Sequence, residues 1–225
     1  MSVQHNISLP GHGVRLVPLR RAHALNLFPI LDADMWAGMA SRRPTSRRAL
    51  EKLFTDRIND PAVISFAVID HSTGAVAGTT SLYDYVPDQS RVEIGMTFFG
   101  RNYWGHNVNT ASKLVLLTFA FEQLLVHRVA LRCDTRNVRS AAAIMKLGAS
   151  SEGVLRGYRR GHDGTRVDTG IYSILDHEWP ASRSTLMRRL AQAEVQTQTL
   201  PQVTGMAEPS RHQKRACEQG APLPA

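Results

Sequence analysis

Apolar positions along the chain alternate first at the two-residue spacing of strands and later recur at the three- and four-residue spacing of helices. Val14–Leu19 predicts a short strand, and Arg20 to about Leu31 a helical stretch. Over Ser46–Ile58 the apolar Leu50, Leu53, Phe54 and Ile58 keep helical intervals, with Thr45 or Ser46 as cap and Asn59-Asp60-Pro61 as stop. Val63–Asp70, Ala75–Tyr85 and Arg91–Phe99 then read as three strands joined by turns at His71–Gly74 and Pro87–Ser90, which makes two neighbouring antiparallel hairpins. In the third strand Val92, Ile94, Met96 and Phe98 are expected on one face.

Beyond this point helices alternate with strands. Asn109–Leu125 carries Ala111, Leu114, Val115, Leu117, Phe121, Leu124 and Leu125, a helix with a broad apolar face. Arg128–Asp134 is a strand, and Val138–Leu147 an Ala-rich helix stopped by Gly148. Strands at Glu152–Arg159 and Arg166–Ile174 flank a turn at Gly161–Gly164, and a last helix covers Pro180–Ala193. From Glu194 the sequence turns polar and proline-bearing, with too few large apolar residues to offset the entropy of ordering. One domain over residues 1–193 and a disordered tail over 194–225 are therefore expected.

Composition adds mainly exclusions. Of the 225 residues 43% are hydrophobic and 20% charged, as in an ordinary globular protein with a real core. No apolar run approaches the roughly 20 residues of a membrane span, and the N-terminal segment lacks a secretory pattern, so a cytoplasmic location is expected. Cys133 and Cys217 offer no disulfide framework, and the nine histidines form no metal-binding pattern, so no metal is expected. The net charge of +8 is mostly arginine spread over the whole chain, without a nucleic-acid-binding motif. A solvated basic surface, or one suited to a phosphate-rich ligand, explains it better than a nucleic-acid partner does.

The segment that carries chemistry is Arg101–Lys113, RNYWGHNVNTASK, between a strand and a long helix. Such a junction aims unpaired backbone N–H groups and the positive end of a helix dipole at one place, an anion site suited to pyrophosphate. Gly105 lets the chain bend closely, while Asn107 and Asn109 add amide donors.

Five segments in order then resemble the RimJ/RimL-type branch of the GNAT acetyltransferases. They are VEIGMTF (Val92–Phe98), YWGHNVNTASK (Tyr103–Lys113), RVALRCDTRNVRSAAAIMKLGA (Arg128–Ala149), EGVLR (Glu152–Arg156) and DTGIYSILDHEWP (Asp168–Pro180). The resemblance covers about Arg15–Leu190 and implies an α+β fold. Its sheet is mixed and mostly antiparallel, flanked by helices and splayed between the fourth and fifth strands, Arg91–Phe99 and Arg128–Asp134. It further implies acetyl-CoA as co-substrate and a primary amine, on a small molecule or a protein N-terminus, as acceptor. Carried over by position, Ile94, Gly95, Met96 and Thr97 would line the pantetheine. Trp104, Gly105, His106, Asn107, Val108, Asn109 and Thr110 would hold the pyrophosphate, and Asn137 and Ser140 would face the pantetheine amide and the thiol. The chain departs from the family at Asn107, where glycine is usual, and at Ala111, where an acidic residue is common.

Acyl transfer to an amine needs a group to take the amine's proton, one to protonate the departing thiolate, and a donor for the thioester oxygen. Glu93 is the candidate base, acting through water, with a structural ion pair as the plain alternative. Ser140 is the candidate acid, with a helix cap as its alternative. Tyr172 and Asp84 are weaker candidates, and a backbone N–H near Met96 or Thr97 suits the oxyanion. Arg156, Tyr158, Arg159 and Arg160 border the acceptor side or form a solvated face. A non-catalytic acyl-CoA-binding module and a basic RNA-associated binder are the competing readings, and a homodimer is left open.

Overall fold

Strand β1 (Leu9–Gly11) opens a single sheet whose order, among the residues described, is β1-β2-β3-β4-β5-β6-β8-β7. The structure is a computed structural model and describes residues 5–199. The other strands are β2 (Val14–Pro18), β3 (Val63–Asp70), β4 (Val76–Val86), β5 (Arg91–Phe99), β6 (Arg128–Asp134), β7 (Ser150–Arg160) and β8 (Arg166–Leu175). All neighbours pair antiparallel except β5 and β6, which run parallel. Strand β1, which alternation did not reveal, is turned into β2 by His12 and Gly13, both at positive φ (52° and 77°). Two successive left-handed residues are what a tight two-residue hairpin requires.

Helices α1 (Ala24–Leu27), α2 (Ala33–Trp36) and α3 (Arg47–Asn59) cover one face of the sheet. There Leu27, Met35, Trp36, Leu50 and Phe54 pack with Ala67 and Phe98. Helices α4 (Asn107–Thr118), α5 (Val138–Met145) and α6 (Trp179–Thr199) cover the other, around Leu16, Phe66, Val68, Ile94, Leu131 and Leu186. The stretch expected to be helical over Arg20–Leu31 is broken into short 3-10 and α turns. Pro29 there has no N–H to donate and cannot continue a helix. Ser46 caps α3 through its side chain, accepting from the Ala49 N–H at 3.1 Å. Helix α4 begins two residues earlier than expected, and its continuation, Phe119–Gln123, widens to a π-turn that buries Phe119, Ala120 and Phe121 consecutively. Helix α6 runs to Thr199, past the expected end of the domain at Ala193; the rest of the expected tail lies outside the described residues.

Two features of β5 shape the centre of the molecule. Its pairing with β6 covers only Arg91–Ile94 against Arg128–Leu131. Beyond Ile94 the two strands diverge, and the β6-facing backbone of Gly95–Phe99 has no ladder partner. On its other side, Ser81 pairs with Gly95 and Thr79 with Phe98, so β5 carries one extra residue, a β-bulge. Met96 lies in that bulge at φ 49°. The bulge reverses the alternation: Val92 and Ile94 point into the α4 core and Phe98 into the α1–α3 core. The expectation of a single face for Val92, Ile94, Met96 and Phe98 is corrected accordingly.

Candidate active site

Divergence of β5 from β6 opens a cleft in the sheet beside the N-terminus of α4. His106 occupies the N-cap of that helix without a side-chain cap bond. The first-turn N–H groups of α4 are therefore left unfilled by a capping side chain, the state in which a helix N-terminus attracts an anion. Gly105 turns the chain into the helix at φ 78°, with open space where a Cβ would be. Asn109, one turn-position in, has a buried Oδ1 with no partner. A buried, unpaired amide atom is costly unless a ligand group completes it. Asn107 is the first residue of α4 and its φ is not positive, so the position usual for glycine does not need one here. Trp104 braces the loop: its Nε1 donates to the Phe99 carbonyl at 2.9 Å, and the Arg139 guanidinium stacks 3.5 Å above its ring. Arg139 comes from α5, so this stack joins the two walls of the cleft.

The sequence matches the family described as "Acetyltransferase (GNAT) domain" over residues 14–150. The chain belongs to the GNAT acetyltransferase family. Its relatives place it with the RimJ/RimL-like branch. It is 30% identical over 115 residues to "Putative ribosomal N-acetyltransferase YdaF" of Bacillus subtilis, a match covering 49% of this chain and 59% of that protein. The aligned part thus spans about three fifths of the length of this curated relative. Among solved structures it is similar to an acetyltransferase structure from T. thermophilus, at 33% identity and TM-score 0.76, covering 81% of this chain and 96% of that one. Mycobacterium smegmatis RimJ, solved in complex with CoA-disulfide, shares the fold at 18% identity and TM-score 0.70, covering 82% of this chain and 95% of that one.

In this GNAT sheet the residues singled out from the sequence fall into three groups. Ile94, Gly95, Met96 and Thr97 form the β5 wall of the cleft; the Ile94 side chain is buried in the core, leaving its backbone to the cleft. Residues 104–110 form the α4 junction. Asn137 and Ser140 lie on the opposite wall, at the start of α5. The Asn137 Oδ1 accepts from the Ser140 N–H at 3.0 Å, so its side chain acts as the cap of α5. The Ser140 and Tyr172 side chains both hydrogen-bond the Cys133 thiol, whose pKa burial pushes up. Cys133 is thus a buried, protonated group rather than a nucleophile.

Glu93 and Ser140 are not brought together. Glu93 alternates with the core residues Val92 and Ile94 and so projects from the α1–α3 face, whereas Ser140 stands with α5 on the other. Glu93 is 2% exposed and fully engaged. The Arg132 Nε donates to its Oε2 at 2.5 Å, and the Tyr83 hydroxyl donates to its Oε1. Burial and the Glu93 carboxylate push the Tyr83 phenol well above its usual range, keeping it a donor. Arg132 also donates to the Tyr158 hydroxyl at 2.6 Å, extending the chain of contacts to β7. Gly95 is required beneath this network, because a Cβ there would lie 2.8 Å from the Tyr83 ring. Asp84 pairs with Arg91 at 2.5 Å, away from the cleft wall.

Sequence reasoning missed Tyr83, Arg132 and Arg139. Tyr83 and Arg132 are visible only through cross-strand pairing with β5. Arg139 sits in the NVRS segment already singled out, two residues past Asn137, but its partner Trp104 is distant in sequence. Among the described residues no helix is long and apolar enough to cross a membrane, and no cluster of His, Cys, Asp or Glu is arranged to hold a metal.

Proposed function

We propose that this protein transfers the acetyl group of acetyl-CoA to a primary amine, on a protein N-terminus or a small molecule, by direct attack without a covalent enzyme intermediate. The observation that carries this reading is the divergence of β5 from β6 after the Ile94–Leu131 pair, directly beside the uncapped N-terminus of α4. Bound acetyl-CoA supplies the activated acyl group. The α4 junction, with Gly105 and the unpartnered Asn109 amide, fits its pyrophosphate, and the backbone of Gly95–Thr97 fits the pantetheine and thioester. The relatives' names point to ribosomal proteins as one acceptor class.

Within this reading Glu93 holds the acceptor side and Ser140 the thiol side of the cleft. Both Glu93 oxygens already carry a donor, so a water molecule bridging from a remaining lone pair is its route to the amine. Ser140 reaches the departing sulfur from the start of α5 and serves as proton donor. The same full occupancy of Glu93 favours the second reading, an acyl-CoA-binding module without turnover. A screen of amines and N-terminal peptides that follows release of free CoA thiol separates the two. Release with at least one acceptor supports the transferase; tight acetyl-CoA binding by thermal shift with no release supports the module.

A further inference from the structure

Two cations are buried close to the cleft without an ion-pair partner among the described residues: Arg57, 8% exposed, and Lys113, 7% exposed. They approach the bulge of β5 from opposite faces of the sheet. Arg57, on α3, donates from Nη1 to the Met96 carbonyl at 3.4 Å, an oxygen that the Thr79 hydroxyl also approaches, at 3.3 Å. Lys113, on α4, donates from Nζ to Thr97 Oγ1 at 2.8 Å and to Thr80 Oγ1 at 3.1 Å. The Thr97 hydroxyl lies 3.2 Å from the Gly95 carbonyl and accounts for that group in turn. Both carbonyls of the Gly95–Met96 pair are therefore occupied from behind.

Structure alone does not call for charge at either place. The Thr80 and Thr97 hydroxyl oxygens are 2.8 Å apart and can bond each other, so an apolar side chain at 113 would leave neither unsatisfied. Burying a cation without a counter-ion disfavours the folded state. Such a group is retained where it meets negative charge that arises only during the reaction, since preorganised charge in a dry site needs no rearrangement at that moment.

We propose that Lys113 and Arg57 are positioning residues for acyl transfer, fixing the β5 bulge from its two faces and stabilising by their charge the oxyanion formed beside Met96 and Thr97. This rests on the acetyl-transfer reading. As the amine nitrogen bonds to the carbonyl carbon, the C=O pair moves onto oxygen. Its return expels the CoA thiolate, which gains one proton while the amine loses one. Neither cation touches substrate; both act through the bulge and through space.

The test compares wild type with Lys113→Met and Arg57→Gln. Lys113→Met is expected to lower kcat by about 10- to 100-fold, in the range found for a lost oxyanion stabiliser, with KM for acetyl-CoA changed less than about threefold. Isotope-edited infrared spectra of bound acetyl-CoA labelled with ¹³C at the carbonyl read the same effect without turnover. The C=O stretch is expected at lower frequency in wild type than in Lys113→Met, with Arg57→Gln between them. Equal frequencies and equal kcat in folded variants overturn the proposal. A wild type that binds no acetyl-CoA overturns the acetyl-transfer reading itself, and this inference with it.

Discussion

Replacing Lys113 by methionine should stabilise the protein near neutral pH, and the gain should shrink as pH rises. Burial holds the Lys113 ammonium far below its ordinary value of 10.5, at about 7. Between these values the unfolded chain keeps a proton that the folded chain has released. In wild type this group therefore makes stability rise with pH from about 7 to 10.5, while below 7 both states are charged and the burial penalty is complete. The fall from 10.5 to about 7 corresponds to an upper figure of about 5 kcal/mol, of which about 3 kcal/mol is relieved between pH 6 and 9. Methionine approximates the volume of lysine and leaves the Thr80–Thr97 hydroxyl pair intact, so the penalty disappears without creating a cavity or an orphaned group.

Urea unfolding of both proteins at pH 6, 7, 8 and 9 measures this directly. The variant should exceed wild type by several kcal/mol at pH 6, with the difference narrowing steadily to pH 9. Arg57, held at about 10 by burial, titrates above that range and does not interfere. A difference that stays flat with pH, or a variant weaker than wild type at pH 6, refutes the assignment of Lys113 as an uncompensated buried amine. A more stable variant that is also a slower enzyme is the trade-off expected where a residue is kept for function.

Other substitutions probe the cleft and the sheet around it. Glu93→Gln should lower kcat by about 100-fold; turnover unchanged across pH 6–9 removes Glu93 as the route for the amine proton. The same variant leaves the Arg132 guanidinium without its counter-ion, and denaturant unfolding should show a loss of about 3 kcal/mol. Gly95→Ala should cost about 1–3 kcal/mol in the same assay, because the new Cβ meets the Tyr83 ring at 2.8 Å; an unchanged unfolding midpoint would show that the ring has room to move. The Arg128 guanidinium, followed by the Ser173 hydroxyl, holds the Glu152 carboxyl down at about 2. Its stabilisation is present above pH 4.5 and lost as pH falls toward 2. The stability gap between wild type and Glu152→Gln should therefore close between pH 5 and 2, and a gap of constant size would contradict it.

What could be read from the sequence was what depends on local periodicity. The limits of Val63–Asp70, Arg91–Phe99 and Arg128–Asp134 follow from runs of apolar and β-branched residues between turn signals, and the structure gives the same bounds. The α4 junction was legible because its chemistry, a strand running through a glycine turn into a helix, lies in one continuous segment. Strand β1 was not, because three residues are too short to show alternation, although Gly-His-Gly held the sign of the hairpin turn. Nor were the partners of Glu93, since Tyr83 and Arg132 meet it only after β4, β5 and β6 have taken their register.

The bulge at Met96 marks the boundary between what periodicity can and cannot carry. Val92, Ile94, Met96 and Phe98 satisfy an unbroken two-residue repeat, and no residue in Gly95-Met96-Thr97 demands a left-handed backbone at its centre. One extra residue there turns Phe98 to the opposite face. It also aims the Met96 carbonyl at Arg57 and the Gly95 carbonyl at the Thr97 hydroxyl that Lys113 holds. Lys113 is hidden in the same way. Ala111 to Leu117 are buried consecutively, so α4 has no polar face near its middle on which the lysine could rest. A charge in such a helix reads from sequence as an ordinary solvated position. It becomes informative only when the packing shows the ammonium buried without a carboxylate beside it, donating to two hydroxyls at the one segment of β5 where strand pairing fails.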